Sequence, residues 1–231
     1  MINMEEKINL QNYIDLGFKS KLEKLFNESG VPKKHRFKDL QLDWSTEFSP
    51  IQKLTGVAKK RSEVVKQIIE TYIKNIDSIL NNQPIRLVLK DRIENISDLF
   101  IDGTKSSGKT FLLSIIAQEA IMQGHKVKFI DWVDYLDRFH SFESRDQSES
   151  YFQDCLDVDL LIIDSVYEYS VNNSKFFSIQ LDRLISHRLN EAKVTICSID
   201  SVSGVPVFGF NWNSFSRETY RLQLPEAGAK K

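Results

Sequence analysis

The chain has 231 residues, with 31 basic and 32 acidic side chains and a net charge of −1. No bulk positive field draws it to nucleic acid or an anionic surface, so such binding needs a local patch. Two cysteines, Cys155 and Cys197, lie in apolar neighbourhoods without metal-ligand spacing and read as buried free thiols of a reducing compartment. No apolar run reaches the ~18–20 residues of a membrane span, and Met1–Leu10 is too polar for a signal peptide, so a cytoplasmic protein without a membrane partner is expected.

Along residues 1–30 the apolar positions Ile8, Tyr13, Ile14, Phe18, Leu22, Leu25 and Phe26 recur at helical spacing, and Gly30 suits a C-cap. The link from Val31 to Phe37 opens with Pro32 and carries Lys33, Lys34, His35 and Arg36, a basic cluster that reads as a solvated linker. Leu40 to Gly56 has little periodicity. From Lys59 to Leu80 the residues Val64, Val65, Ile68, Ile69, Tyr72, Ile73, Ile76 and Leu80 form an amphipathic helical stripe, which ends at Asn81-Asn82-Gln83-Pro84. Residues 1–84 are therefore expected as an N-terminal helical region with an irregular linker. Residues 85–231 alternate strand and helix patterns, which predicts a parallel sheet with right-handed crossovers and helices on its faces.

Within that second part, Leu99-Phe100-Ile101 reads as a strand, Val127–Ile130 as another, Trp132–Phe139 as a helix and Leu160–Ile163 as a strand buried on both faces. Phe176–Leu189 reads as a helix and Val194–Ser198 as a strand. After the first strand comes Gly103-Thr104-Lys105-Ser106-Ser107-Gly108-Lys109-Thr110, which fits the pattern G-x-x-x-x-G-K-[ST] at every fixed position. The helical pattern Phe111, Leu112, Ile115, Ile116, Ala120 follows it. Strand, glycine loop and helix N-terminus make an anion site, because backbone N–H groups and the helix dipole converge on phosphates. Gly103 and Gly108 allow close approach, Lys109 reaches the outer phosphates, and the Thr110 hydroxyl holds Mg²⁺. ATP with Mg²⁺ is the expected ligand.

Such a loop needs an acidic partner for the metal at the end of a neighbouring buried strand, and Asp164 stands there. ATPases of this strand type follow that aspartate with a second acidic residue, which polarises the attacking water. Here the position is Ser165, whose hydroxyl is too weak a base at neutral pH. Glu168, three residues on, is the remaining catalytic candidate, and slow or absent hydrolysis is expected. Ser198 or Asp200, at the end of the following strand, is placed to sense the γ-phosphate or simply to begin a turn.

With these residues assigned, the chain resembles the DnaC/DnaI/IstB group of AAA+ ATPases, the bacterial and phage helicase loaders and transposition helpers. Gly30-Val31-Pro32 with Phe37 resembles the short lead-in before the ATPase core of that group. The stretch Asp154–Asp164 is similar to its second nucleotide motif, and Phe210-Asn211-Trp212-Asn213-Ser214-Phe215 resembles the DnaC-type close. The resemblance implies a P-loop α/β fold without a separate lid domain. It also implies single-stranded DNA contacts in the stretch after the second strand, on Arg138, Phe139, Phe142 and Arg145. Aromatics interleaved with arginines can stack bases and hold phosphates, or the rings can pack on the core. Ser165 departs from the group's pattern, as does the short run from Asp200 to Phe210, where loaders carry a helix with an arginine that reaches the neighbouring subunit. Arg188 and Arg217 are the residues left for that role, or are ordinary surface or ion-pair arginines.

Three functions follow as expectations. The first is a helicase-loader-like protein of a phage, plasmid or mobile element, binding a replicative helicase through residues 1–84 and single-stranded DNA through its core, as a homo- or hetero-oligomer. The second is a degenerate nucleotide-binding adaptor of a transposition or defence assembly. The third is a small P-loop kinase, against which the lack of an arginine-rich lid counts.

Overall fold

The computed structural model describes residues 17–32, 68–83, 85–89, 92–96, 98–103, 107–141, 144–166, 175–200 and 219–224. In chain order these form helix α1 (residues 17–28), helix α2 (residues 68–74) and helix α3 (Ile76–Leu80). A hairpin of β1 (Ile85–Leu89) and β2 (Arg92–Ile96) follows, then β3 (Leu99–Gly103), α4 (Lys109–Met122), β4 (Val127–Asp131) and α5 (Trp132–Ser141). The remaining elements are α6 (Arg145–Leu156), β5 (Leu160–Val166), α7 (Lys175–Asn190), β6 (Val194–Asp200) and β7 (Tyr220–Gln223).

Five strands make one parallel sheet in the order β4-β5-β6-β3-β7. Alternate residues of each strand face opposite sides, and the apolar runs fill both. Leu99, Ile101, Val127, Phe129, Leu160, Ile162, Val194 and Ile196 share one buried cluster with α4, α2 and α3. Phe100, Ile130, Leu161, Ile163, Cys197 and Ile199 share the other with α5, α6 and α7. Each side chain buried in this way contributes on the order of 1.5–3 kcal/mol. The core is therefore two helical layers on one sheet.

The stripe of the 59–80 segment ends in this core: Ile68, Ile69, Tyr72, Ile76 and Ile79 are no more than 1% exposed. The single helix expected there is interrupted at Asn75, whose backbone N–H turns to the Tyr72 carbonyl and whose side-chain amide donates to Thr71 O at 2.7 Å. A competing side-chain bond of this kind is why Asn breaks helices. At the other edge, α1 closes with Gly30 at φ +76. A Cβ on Gly30 would lie 2.6 Å from the Phe129 carbonyl, while the Phe129 N–H donates to Ser29 O at 2.6 Å. The segment Ser29-Gly30-Val31 thus fastens α1 along β4, the edge strand of the sheet, and only glycine fits its middle.

Three elements differ from the sequence expectation. The β1–β2 hairpin, with paired Ile85↔Ile96 and Leu89↔Arg92, precedes the parallel sheet, and β7 extends it. Helix α6 occupies a stretch to which the sequence pattern assigns no element. Ser144 caps it, accepting the Gln147 N–H at 3.3 Å.

Candidate nucleotide site

Gly103 ends β3 beside Asp200 of β6, and α4 begins at Lys109 behind an N-cap Gly108 at φ +95. That left-handed turn suits glycine and leaves the first-turn N–H groups of α4 pointing to the loop. A Cβ on Gly103 would meet the buried Ser107 Oγ at 2.6 Å, so any side chain at the loop's first position would have to displace Ser107. Lys109 is 6% exposed, and its Nζ donates to Gly103 O at 2.8 Å, across the loop. Thr104, Lys105 and Ser106 lie outside the described residues. A tight glycine turn, helix N–H groups and a buried ammonium together fit a polyphosphate.

The Thr110 hydroxyl donates to Asp164 Oδ2 at 2.6 Å, joining the head of α4 to the end of β5. Hydroxyl and carboxylate oxygens are the donors Mg²⁺ prefers, and this cation commonly takes one or two protein ligands with substrate phosphates and water. Among the described residues no group of three or more His, Cys, Asp or Glu makes a metal cage. The pair Thr110–Asp164 therefore fits a metal that arrives with the nucleotide. A divalent cation held there would supply charge neutralisation at the outer phosphates.

β6 lies between β3 and β5, and its Ser198 takes up the other carboxylate oxygen, donating to Asp164 Oδ1 at 2.5 Å. The ladder breaks at this point. Ile163 pairs with Cys197 and Val166 with Ile199, so Asp164 and Ser165 together face one residue, Ser198. This is a β-bulge. Ser165 sits in it at φ +61, a conformation uncommon outside glycine, and its N–H donates to Ser198 Oγ at 3.0 Å. Ser198, expected as a phosphate sensor, is thus bonded to the metal aspartate and to the bulge. Asp200 is described by its backbone only, and Glu168 lies outside the described residues.

Sequence reading missed Asp131. It ends β4 in register with Asp164, and its Oδ1 caps α5, accepting the Val133 N–H at 3.0 Å and the Asp134 N–H at 3.3 Å. Burial raises its pKa above the usual carboxylate range, and the charges of Asp134 and Asp164 add to the rise; the two backbone donors oppose it.

The arginines fall out differently from expectation. Arg188 is not a surface residue, and among the described residues it has no ion-pair partner. It is fully buried, donating to Thr195 Oγ1 and to the carbonyls of Cys155, Leu156, Val158, Asp159 and Val194 at 2.6–3.2 Å. Burial lowers its pKa to about 10. A guanidinium committed to six bonds inside the fold cannot reach another subunit. Arg217 lies outside the described residues. Arg138 is exposed, with its guanidinium 4.8 Å over the Tyr151 ring, and Phe139 is half-buried against Tyr135 at 5.9 Å between ring centroids. Arg145 is exposed at the start of α6. Phe142 lies outside the described residues.

A phosphate loop after the fourth strand of the β4-β5-β6-β3-β7 order, with one strand between it and the metal aspartate, defines a P-loop nucleotide-binding domain of the AAA+ type. Among the described residues no lid domain follows it. The family of IstB-like ATP-binding proteins matches residues 53–203, more than half of the chain, and the chain belongs to that family. No curated protein matches the sequence. Solved structures share the fold. Domain III of the Thermotoga maritima replication initiation protein DnaA has a TM-score of 0.58 at 15% identity, over 85% of this chain and 69% of that one. AMPPCP-bound DnaA from Aquifex aeolicus scores 0.57 at 15% identity, over 85% and 51%. The DnaC helicase loader scores 0.52 at 13% identity, over 74% and 92%. The chain spans about half the length of the longer initiation structures it matches. Among the described residues no helix is long and apolar enough to cross a membrane.

Proposed function

We propose that this protein is an ATP- and Mg²⁺-binding, helicase-loader-like factor in the DNA replication of a phage, plasmid or other mobile element. The Thr110–Asp164 hydrogen bond carries the reading, because it brings the helix head of the phosphate loop and the metal carboxylate to 2.6 Å. Residues 1–84 bind a replicative helicase. Single-stranded DNA binds weakly to the core through Arg138, Phe139, Phe142 and Arg145, with nucleotide bound. The exposure of Arg138 and Arg145 supports this, since phosphate contacts need cations that solvent can reach. Hydrolysis is slow, because position 165 offers no carboxylate.

The deciding experiment is fluorescence anisotropy of a labelled oligonucleotide at low and moderate salt, with and without ATP and Mg²⁺. Nucleotide-dependent binding that weakens with salt and with Arg138→Ala is the expected result. No binding at low salt overturns the DNA part of the proposal. A second reading is favoured by Ser165: a nucleotide-binding adaptor that uses ATP as a structural switch in a transposition or defence assembly, and does not turn it over. Measurable steady-state hydrolysis stimulated by single-stranded DNA would count against it.

A further inference from the structure

Three neighbouring strands carry a polar residue at or near their C-terminal ends on the same face of the sheet. On β4, Val127 and Phe129 face the α4 side, and Asp131 continues that alternation. On β5, Leu160 and Ile162 face the same side, followed by Asp164, and on β6 Val194 and Ile196 are followed by Ser198. The register pairs Asp131 with Asp164, and the hydrogen bond joins Asp164 to Ser198. Adjacent strands stand about 4.8 Å apart, so Asp131 lies one strand from the metal aspartate. Asp102 is excluded from this row, because it alternates with Ile101 and shares the opposite face with Phe100.

We infer that Asp131 is the catalytic carboxylate of the site, filling from the neighbouring strand the role that Ser165 leaves open on β5. The inference rests on the nucleotide reading above. Two observations favour Asp131 over a rescue at position 165 itself. The bulge takes Ser165 out of the regular alternation at φ +61, and its N–H is engaged by Ser198. By contrast, Asp131 is held in place: Oδ1 is fixed by two N–H groups of α5, and among the described residues Oδ2 receives no hydrogen bond. A carboxylate clamped at one oxygen presents the other in a fixed direction.

The reaction is the hydrolysis of ATP. Asp131 takes a proton from a water molecule as the water oxygen bonds to the terminal phosphorus. The bond from that phosphorus to the bridging oxygen breaks, its electron pair stays on ADP, and the proton passes to the released phosphate. The single strand of separation makes the row Ser198, Asp164, Asp131 a graded site, from bulge anchor to metal ligand to base.

Asp131→Asn tests this, because asparagine caps a helix as well as aspartate but carries no charge. Three quantities are measured in wild type, Asp131→Asn, Asp134→Asn and Asp200→Asn: single-turnover hydrolysis, the Kd of a non-hydrolysable ATP analogue, and the Kd of ADP with aluminium fluoride. Asp131→Asn should lower turnover by about 10²-fold or more, as expected for loss of a general base. It should weaken ADP–aluminium fluoride about tenfold, one order of the same loss, and leave the ATP analogue's Kd and the melting temperature close to wild type. Asp134→Asn, which removes a nearby charge from the first turn of α5, should leave all three near wild type. Unchanged turnover and unchanged ADP–aluminium fluoride affinity in Asp131→Asn overturn the inference, as does a larger loss in Asp200→Asn or a wild type that binds ATP without any hydrolysis. A wild type that binds no nucleotide overturns the site reading itself.

Discussion

Ser198 and Asp164 are joined across β5 and β6 by a 2.5 Å hydrogen bond, and the same serine oxygen accepts the Ser165 N–H at 3.0 Å. One hydroxyl therefore fixes the orientation of the metal carboxylate and closes the bulge beside it. Removing it strands the part-buried Ser165 N–H and Asp164 Oδ1, while Asp164 Oδ2 keeps its 2.6 Å bond from Thr110. Ser198→Ala should cost about 1–3 kcal/mol of stability, the range for a buried group left without its partner. Nucleotide affinity in Mg²⁺ should fall more than affinity in chelator, because the phosphate loop is untouched. Urea unfolding and nucleotide titrations with and without Mg²⁺ check both; equal losses in the two titrations would contradict the positioning role.

Lys109 is poised differently. Its ammonium is folded onto the Gly103 carbonyl inside the loop, so a polyphosphate must draw it away from a bond it already makes. Lys109→Ala should weaken ATP-analogue binding by at least about 10²-fold, since each charge-assisted hydrogen bond is worth roughly 1.5–3 kcal/mol. The fold should survive, with a loss near 1 kcal/mol for the orphaned carbonyl. Undiminished affinity in a folded variant would remove the phosphate-loop assignment.

Much of this site is legible in the sequence, and what is legible has a common cause. The phosphate loop shows because its chemistry fixes residue types at fixed spacing, and Asp164 shows because a fully apolar run leads into it. Asp131 does not show, because its meaning comes from register with another strand, a long-range fact that no local pattern encodes. The Ser165 bulge is hidden for the same reason: a positive φ at a serine has no sequence mark. Helix α6 was readable, since Ser144-Arg145-Asp146-Gln147 is a capping-box pattern. The β1–β2 hairpin was harder, because its two connecting residues, Lys90-Asp91, lack the glycine that usually marks such a turn. Arg188 gave no signal of burial; six bonds to distant carbonyls and Thr195 make it a core residue, and only the fold brings those acceptors together.

Arg188 yields a third prediction. Its guanidinium ties the last turn of α7 to the α6–β5 connection and to β6, and a lysine offers three donors where six bonds are made. Arg188→Lys should lower stability by about 3 kcal/mol or more, from several carbonyls left short of donors. Mixing the variant with a Lys109→Ala partner should not restore turnover above the sum of the parts, which is what an arginine acting on a neighbour's nucleotide would do. A stable variant that is rescued by mixing would reinstate the intersubunit role.

The two thiols give a prediction in pH. Burial pushes the Cys155 thiol up to about 12, with the Asp154 charge adding, and pushes Cys197 well above its ordinary range, with Asp98 adding. Lys128 and Arg188 pull Cys155 back, and Arg188 does the same for Cys197, without cancelling the burial effect. Both groups therefore stay protonated in the folded protein at pH values where the unfolded chain has ionised. Their contribution to stability is complete below the unfolded thiol pKa of about 8.5 and drains away as pH rises from there toward the folded values. The expected slope is roughly 1.4 kcal/mol per pH unit for each thiol once the unfolded chain is ionised. Urea unfolding between pH 8 and 10, compared with the Cys155→Ala, Cys197→Ala double variant, isolates it: the wild type should lose stability faster with pH, and the variant should lack that part of the slope. At pH 8 an aromatic disulfide reagent should leave both thiols of the native protein unreacted and modify both in denaturant, because the thiolate is the reactive form and burial suppresses it. Rapid modification of the native protein, or equal pH slopes in the two proteins, would show that these cysteines are not the inert core residues their positions imply.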